Sequence, residues 1–342
     1  MNLTVTSSPH IRNKVTTRGI MQDVVIALLP VCAASIIIFG ARALAVILVC
    51  MVSCMASEWV CGKLIYKRDT TVDASAAVTG VLLALTLPAT VPYWVAVVGS
   101  VFAIVVVKGF CGGLGKNIFN PALAARAFLM LLCPVHLVRY AAPGAALSLF
   151  GSNADVTASA TPLHHMVMPA LPEESLLTMF FGNIGGTIGE TCTLALLAGG
   201  AYLVIRKVIS VRIPAAYLGT VAVLTLVFSK GEDPIAWMLY SLLGGGVMLG
   251  AIFMATDYAT SPVTPKGQLI YGIGCGVLTV IFRYYGLFPE GVTYAILLMN
   301  AAAWLLDQYT APRRFGYKKG AMSSPNQGAR IFPGKTIVSN DL

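Results

Sequence analysis

From residue 20 to residue 309 the chain is a succession of apolar runs of near bilayer-crossing length, with short breaks between them apart from residues 139–183. A helix crossing a hydrocarbon core roughly 30 Å thick needs about 20 such residues. Ten runs qualify: approximately 20–40, 43–62, 74–91, 92–108, 117–138, 184–205, 213–229, 235–256, 268–283 and 291–309. Only 11% of residues are charged and the mean hydropathy is +0.80, against about 25% charged in soluble domains. The expected fold is an all-α polytopic membrane protein of about ten helices. The third and fourth runs meet at Leu87-Pro88-Ala89-Thr90-Val91-Pro92, a tight turn because proline cannot continue a helix.

Ten crossings leave both termini on one side, and basic residues choose which. With the termini cytoplasmic, the inner segments hold Arg12, Lys14, Arg18, Lys63, Lys67, Arg68, Lys108, Lys116, Arg206, Lys207, Arg212, Lys266, Arg313, Arg314, Lys318, Lys319, Arg330 and Lys335. The outer segments hold only Arg42, Arg139, Lys230 and Arg283, and Arg126 lies within a run. This bias fixes the orientation, and it accounts for the net charge of +9 without nucleic acid as a partner. Residues 1–19 form a cytoplasmic arm with no apolar core or cleavage site of a signal peptide. The expected layout is one membrane domain over 1–342: this arm, a five-helix half at 20–138, an extracytoplasmic loop at 139–183, a second half at 184–309 and a basic tail at 310–342.

Two halves of five crossings are inverted relative to one another. Gly80 to Pro92 reads GVLLALTLPATVP, and Gly250 to Pro265 reads GAIFMATDYATSPVTP. Both are apolar runs broken at Ala-Thr and proline, the pattern of repeats that build a site near the midplane. Ionisable groups in such a chain are expensive, roughly 2.5–3.5 kcal/mol each at a helix centre. Asp23, Asp73 and Asp307 lie near enough to run ends to reach headgroups or water. Glu58, Arg126, Glu190 and Asp257 must face the bundle interior and find partners. Arg126 suits either a phosphate or one of the buried acids.

Known motifs exclude several chemistries. GGLGKN at 112–117 lacks the spacing of a nucleotide-binding P-loop. The eight cysteines form no C-x-x-C pair, and most sit in apolar runs as small buried hydrophobes; only Cys111, in Cys111-Gly112-Gly113, is near a loop. His164 and His165 are adjacent and point apart on any one element. There is no nicotinamide fingerprint. Two glycine-rich segments remain: Gly112 to Pro121, which opens the fifth run, and Gly182 to Thr191, which opens the sixth and offers free N–H groups to an anion. The small polar segment Asp155 to Pro162, with hydroxyls at Thr157, Ser159 and Thr161, lies in the longest stretch that does not span.

Together, Ser159-Ala160-Thr161-Pro162-Leu163, GKNIFNPALAAR (115–126), GNIGGTIGET (182–191) and MATDYATSPVTPKG (254–267) resemble the NqrB/RnfD family of membrane subunits of respiratory flavoprotein complexes. The likeness covers about residues 10 to 315, and the short N-terminal arm is more similar to the RnfD branch, of the Rnf ferredoxin:NAD+ oxidoreductases, than to the NqrB branch of Na+-translocating NADH:quinone reductases. The resemblance implies FMN attached by a phosphoester to a threonine in a D-x-x-[ST]-[GA]-A-T pattern. That threonine is Thr161, with Asp155 and Ala160 matching; Ala158 and Ser159 depart from the pattern, and Ser159 is a competing hydroxyl. It also implies a separate flavin transferase, partner membrane and flavoprotein subunits, a second, non-covalent riboflavin near the cytoplasmic side in some members, and coupling of ferredoxin/NAD electron flow to Na+ or H+ movement at the bacterial inner membrane, with the flavin loop outside. Gly186 and Glu190 are the first candidates for further flavin contacts, and Glu58, Arg126 and Asp257 for an ion path. From another class, a secondary transporter or channel would also use inverted repeats and buried acids.

Overall fold

The computed structural model describes residues 16–66, 73–110, 112–113, 115–150, 161, 172, 174–286 and 291–312. One compact unit runs to Thr310, and Ala311–Leu342 separates from it as a second. The first unit is built of helices: α1 (Thr17–Phe39), α2 (Ala41–Cys61, extended by a π turn over Gly62–Tyr66), α3 (Ser75–Leu85), α4 (Tyr93–Val101, extended by π winding over Phe102–Gly109), α5 (Pro121–Leu132) and the short α6 (Pro134–Leu137). After the outer loop come α7 (Leu176–Phe181), α8 (Thr193–Ile205), α9 (Arg212–Val227), α10 (Pro234–Leu243), α11 (Val247–Leu249, π-wound on to Met254), α12 (Pro265–Tyr285) and α13 (Val292–Thr310).

Local chemistry sets the boundaries. Asn120-Pro121, Asp233-Pro234 and Thr264-Pro265 each pair a capping side chain with proline at the first helical position, where proline's missing N–H loses nothing. Asn120 Oδ1, for example, accepts from the N–H groups of Ala122 (3.1 Å) and Leu123 (3.4 Å). At the other end of a helix, Gly40 takes φ +69°, which lets α1 stop and α2 start within one residue.

Among the described residues, three of the ten runs are continuous helices long and apolar enough to cross a membrane: Thr17–Phe39, Ala41–Leu64 and Pro265–Tyr285. Pro234–Leu243 and Val247–Met254 are an apolar helix pair bent by 62° at Gly244-Gly245-Gly246. Shorter apolar helices, among them Ser75–Leu85, Tyr93–Gly109, Pro121–Leu132, Thr193–Ile205 and Arg212–Val227, account for other runs. The run at 117–138 is therefore two pieces, α5 and α6, parted at Cys133-Pro134. Hydropathy sees the apolar window; it does not see where glycine and proline cut it.

Both broken segments matched in the sequence recur in the fold. In each, a short helix (α3 or α11) runs into a proline-containing break and then a longer helix (α4 or α12). Packing repeats as well: α2 lies on α3 and α4, and α9 lies on α10 and α12. The first break is closed by the glycine-rich segment of the second half. Gly189 N–H donates to Leu85 O (2.7 Å), Ile188 N–H donates to Leu87 O (2.9 Å), and Pro88 and Thr187 form an antiparallel bridge. Ser35 of α1 donates to Ile188 O (2.5 Å). Irregular backbone at membrane depth survives only where protein satisfies it in this way.

Helix contacts rest on small residues, as packing inside lipid requires. A Cβ on Gly199 of α8 would collide with the backbone carbonyl of Ala27 in α1. Gly199→Ala is therefore expected to push α8 off α1 and lower thermal stability by about 1–3 kcal/mol, the range for overpacking. Melting of the purified chain in detergent checks this, and an unchanged midpoint would refute the close contact.

Candidate functional site

The buried charges gather at two levels. At the first level Glu58 of α2 pairs with Lys108, at the end of α4's π-wound extension, at 2.5 Å, with both side chains about 5% exposed. The Lys108 ammonium also donates to Ser75 Oγ (2.6 Å), and Ser75 donates to Asp73 Oδ1 through both its hydroxyl (2.7 Å) and its N–H (3.1 Å). The partner that Glu58 needs is thus a lysine that by sequence position belongs to an inner segment. The π winding of residues 102–109 draws it into the protein.

At the second level Arg126 of α5 meets Glu190 at 3.5 Å, both buried. Glu190 is wedged between glycines: a Cβ on Gly246 would sit 2.7 Å from Glu190 Oε1, and one on Gly186 4.0 Å from Oε2. Nearby, Arg283 of α12, expected in an outer segment, is buried and donates to Ser241 O (2.5 Å) and Gly244 O (2.8 Å) at the C-terminus of α10, where the helix dipole favours a cation. Three hydroxyls in this glycine-rich segment and at the start of α8, those of Thr187, Thr191 and Thr193, are buried without a hydrogen-bond partner among the described residues. Leaving such groups unmet costs about 1–3 kcal/mol each. The segment is therefore suited to receive a polar ligand, with the unmet hydroxyls and the N-terminus of α8 on offer.

Arg42 is also buried, not loop-exposed. It donates to Leu149 O (2.7 Å) and Val91 O (2.9 Å) and stacks on Tyr93 at 3.9 Å. Tyr93 Oη donates to the same Leu149 carbonyl (2.8 Å). Together they hold the chain at Leu149 against the α3–α4 break. Thr161 itself is 7% exposed, less than expected of a hydroxyl on an open loop. Asp155, Ser159 and Ala160, and with them Ala158 and the two adjacent histidines, lie outside the described residues.

A cleft lies beside Lys108, with about 770 Å³ of non-protein space, part of it open. Lys108, Ser75, Asn117, Asn120, Asp257 and Tyr258 are among its walls, and it continues into a wider opening toward Trp304 and Asp307. The Asp257 carboxylate accepts from Thr260 Oγ1 (3.2 Å) and the Ala259 N–H (3.5 Å). Asp307 accepts from the N–H groups of Val263 (3.0 Å) and Thr264 (3.1 Å) and so holds the second break. Asn120 donates to Met254 O (3.2 Å) across the halves. Asn300, with its amide turned to suit its neighbours, donates to Tyr271 Oη (2.6 Å) and accepts from the Asn120 N–H (3.1 Å). Sequence reasoning missed Asn120, Asn300 and Tyr271 as a unit. The signal available was the Asn-Pro helix start, which promises a cap but not its distant partners.

The chain matches the NQR2, RnfD, RnfE family model over residues 4–316. It is 50% identical over 324 residues to the D subunit of the Na+-translocating ferredoxin:NAD+ oxidoreductase complex of Acetobacterium woodii, covering 93% of this chain and 97% of that one. It is 38% identical to the D subunit of the proton-translocating ferredoxin:NAD+ oxidoreductase complex of Clostridium ljungdahlii, with 92% and 97% covered. It is also 38% identical to the D subunit of the ion-translocating oxidoreductase complex of Stutzerimonas stutzeri, with 87% and 91% covered.

Proposed function

The chain belongs to the NQR2, RnfD, RnfE family, and from that premise we propose that it is the D-type membrane component of an Rnf-type complex coupling ferredoxin/NAD electron flow to Na+ or H+ translocation. The observation that carries the reading is the 50% identity, over nearly the full length of both chains, to a relative of that description. Its partners are then the other membrane and flavoprotein subunits of the complex, and the chain works as one part of an oxidoreductase-translocase. The membrane is the bacterial inner membrane, with both termini cytoplasmic and the 139–183 connection outside.

Within this reading FMN is joined to Thr161 by a separate transferase. When bound, it supplies one- and two-electron chemistry, while the protein sets its position and surroundings. Thr161 holds the phosphoester, and Asp155, Ser159 and Ala160 shape the approach. Gly186 leaves room beside Glu190, and the unmet hydroxyls of Thr187, Thr191 and Thr193 offer hydrogen bonds. Arg126 holds the Glu190 carboxylate in place. At the inner end, the cleft walled by Asn117, Asn120 and Asp257 suits a second, non-covalent flavin of riboflavin type. Glu58, Arg126 and Asp257 stand along a route for the coupling ion.

Intact mass of the purified chain, produced together with its transferase, tests the covalent reading. One added FMN less one water is expected. A mass equal to the bare sequence would overturn covalent attachment while leaving the family assignment in place.

A further inference from the structure

The inner charge cluster has the composition of a cation seat. Neighbouring elements bring oxygen atoms to one point: Glu58 from α2, Ser75 from the first turn of α3, and Asp73 behind it through the Ser75 hydroxyl. What stands at that point is the ammonium of Lys108, 2.5 Å from Glu58 Oε1 and 2.6 Å from Ser75 Oγ. An ammonium is a compact point charge with three donors, and two of them are engaged here. The remaining carboxylate oxygen, Glu58 Oε2, is buried and has no hydrogen-bond partner among the described residues. The arrangement therefore has more oxygen than the lysine uses.

We propose that Lys108 is a tethered cation filling a monovalent-cation seat formed by Glu58 and Ser75 between α2, α3 and α4. Lys108 and Ser75 both line the inner cleft, so the seat opens toward the cytoplasmic side when the lysine withdraws. With the ammonium in place the carboxylate is neutralised from within the chain, and Glu58 receives a free ion only when the lysine withdraws. The seat stands on this geometry and is independent of the electron-transfer reading.

The test compares the full-length chain, purified in detergent, in NaCl and in choline chloride at equal ionic strength. Wild type is expected to melt at the same temperature in both, because its seat is already filled. K108M empties the seat and leaves Glu58 needing a counter-charge. It is expected to melt about 2 °C higher in saturating Na+ than in choline, the shift of a ligand held only by the folded state at roughly tenfold excess over its Kd. The double variant E58Q/K108M removes the carboxylate and is expected to lose the sodium response. A stable K108M that does not distinguish sodium from choline overturns the proposal. So does a sodium-specific shift in wild type, or a K108M that fails to accumulate in membranes at any sodium concentration while E58Q/K108M accumulates.

Discussion

In-gel flavin fluorescence of the denatured chain is expected to fall to background in Thr161→Ala and to persist in Thr161→Ser. The reason is chemical. A phosphoester survives denaturation, whereas a flavin held by hydrogen bonds and packing does not, so the band reports attachment alone. Alanine removes the one atom that can carry the ester and adds nothing, and at 7% exposure the smaller side chain fits where threonine does. The fold should therefore hold within about 1–2 kcal/mol, the range for deleting a small buried group, and the unlabelled band should appear at normal abundance. Ser159 is the nearest competing hydroxyl in the pattern. A T161A band that still fluoresces would move the site, with Ser159→Ala as the next variant to read.

The second large effect concerns Arg126 and Glu190. Arg126→Met leaves a carboxylate buried between Gly186 and Gly246 with its cation gone. Breaking a buried pair from one side costs about 3–5 kcal/mol, whereas replacing both charges is often close to neutral. The expected pattern is therefore a marked loss of thermal stability in R126M and recovery of most of it in R126M/E190Q. If the pair also serves the flavin site, the double variant should recover its melting temperature without recovering electron transfer through the assembled complex. Full recovery of both would make the pair structural only, and failure to recover stability would mean that the salt bridge is not what Arg126 contributes.

Much of the fold is written in local chemistry and so was legible. Prolines at 88, 92, 121 and 265 mark breaks and helix starts that the structure retains, and the likeness of 80–92 to 250–265 recurs as helix, break, helix. That buried acids need partners was also legible in kind. What could not be read were the partners that depend on distance in three dimensions. Lys108, the last residue of the fourth run, counted among the inner-segment bases, yet at the end of the π-wound stretch it is buried against Glu58. Arg42 and Arg283 read as outer-segment charges, yet both are consumed by backbone carbonyls at helix ends and breaks. The hydroxyls of Thr187, Thr191 and Thr193 look ordinary in sequence, since a threonine in a helix can usually bond to its own backbone. Only burial in an unwound segment shows them to be unmet.

The bonds from Ile188 and Gly189 to Leu87 and Leu85 also bear on how the chain is made. At roughly 5–20 residues per second, synthesis takes about 5–20 s to cover the hundred or so residues between the two segments. Throughout that interval the carbonyls of Leu85 and Leu87 await their donors. The nascent first half must therefore stay beside the insertion machinery, or keep water at the break, until the second glycine-rich segment arrives. A chain stopped before residue 184 would present an open helix end to the membrane, a mark by which quality control could separate unfinished subunits from finished ones.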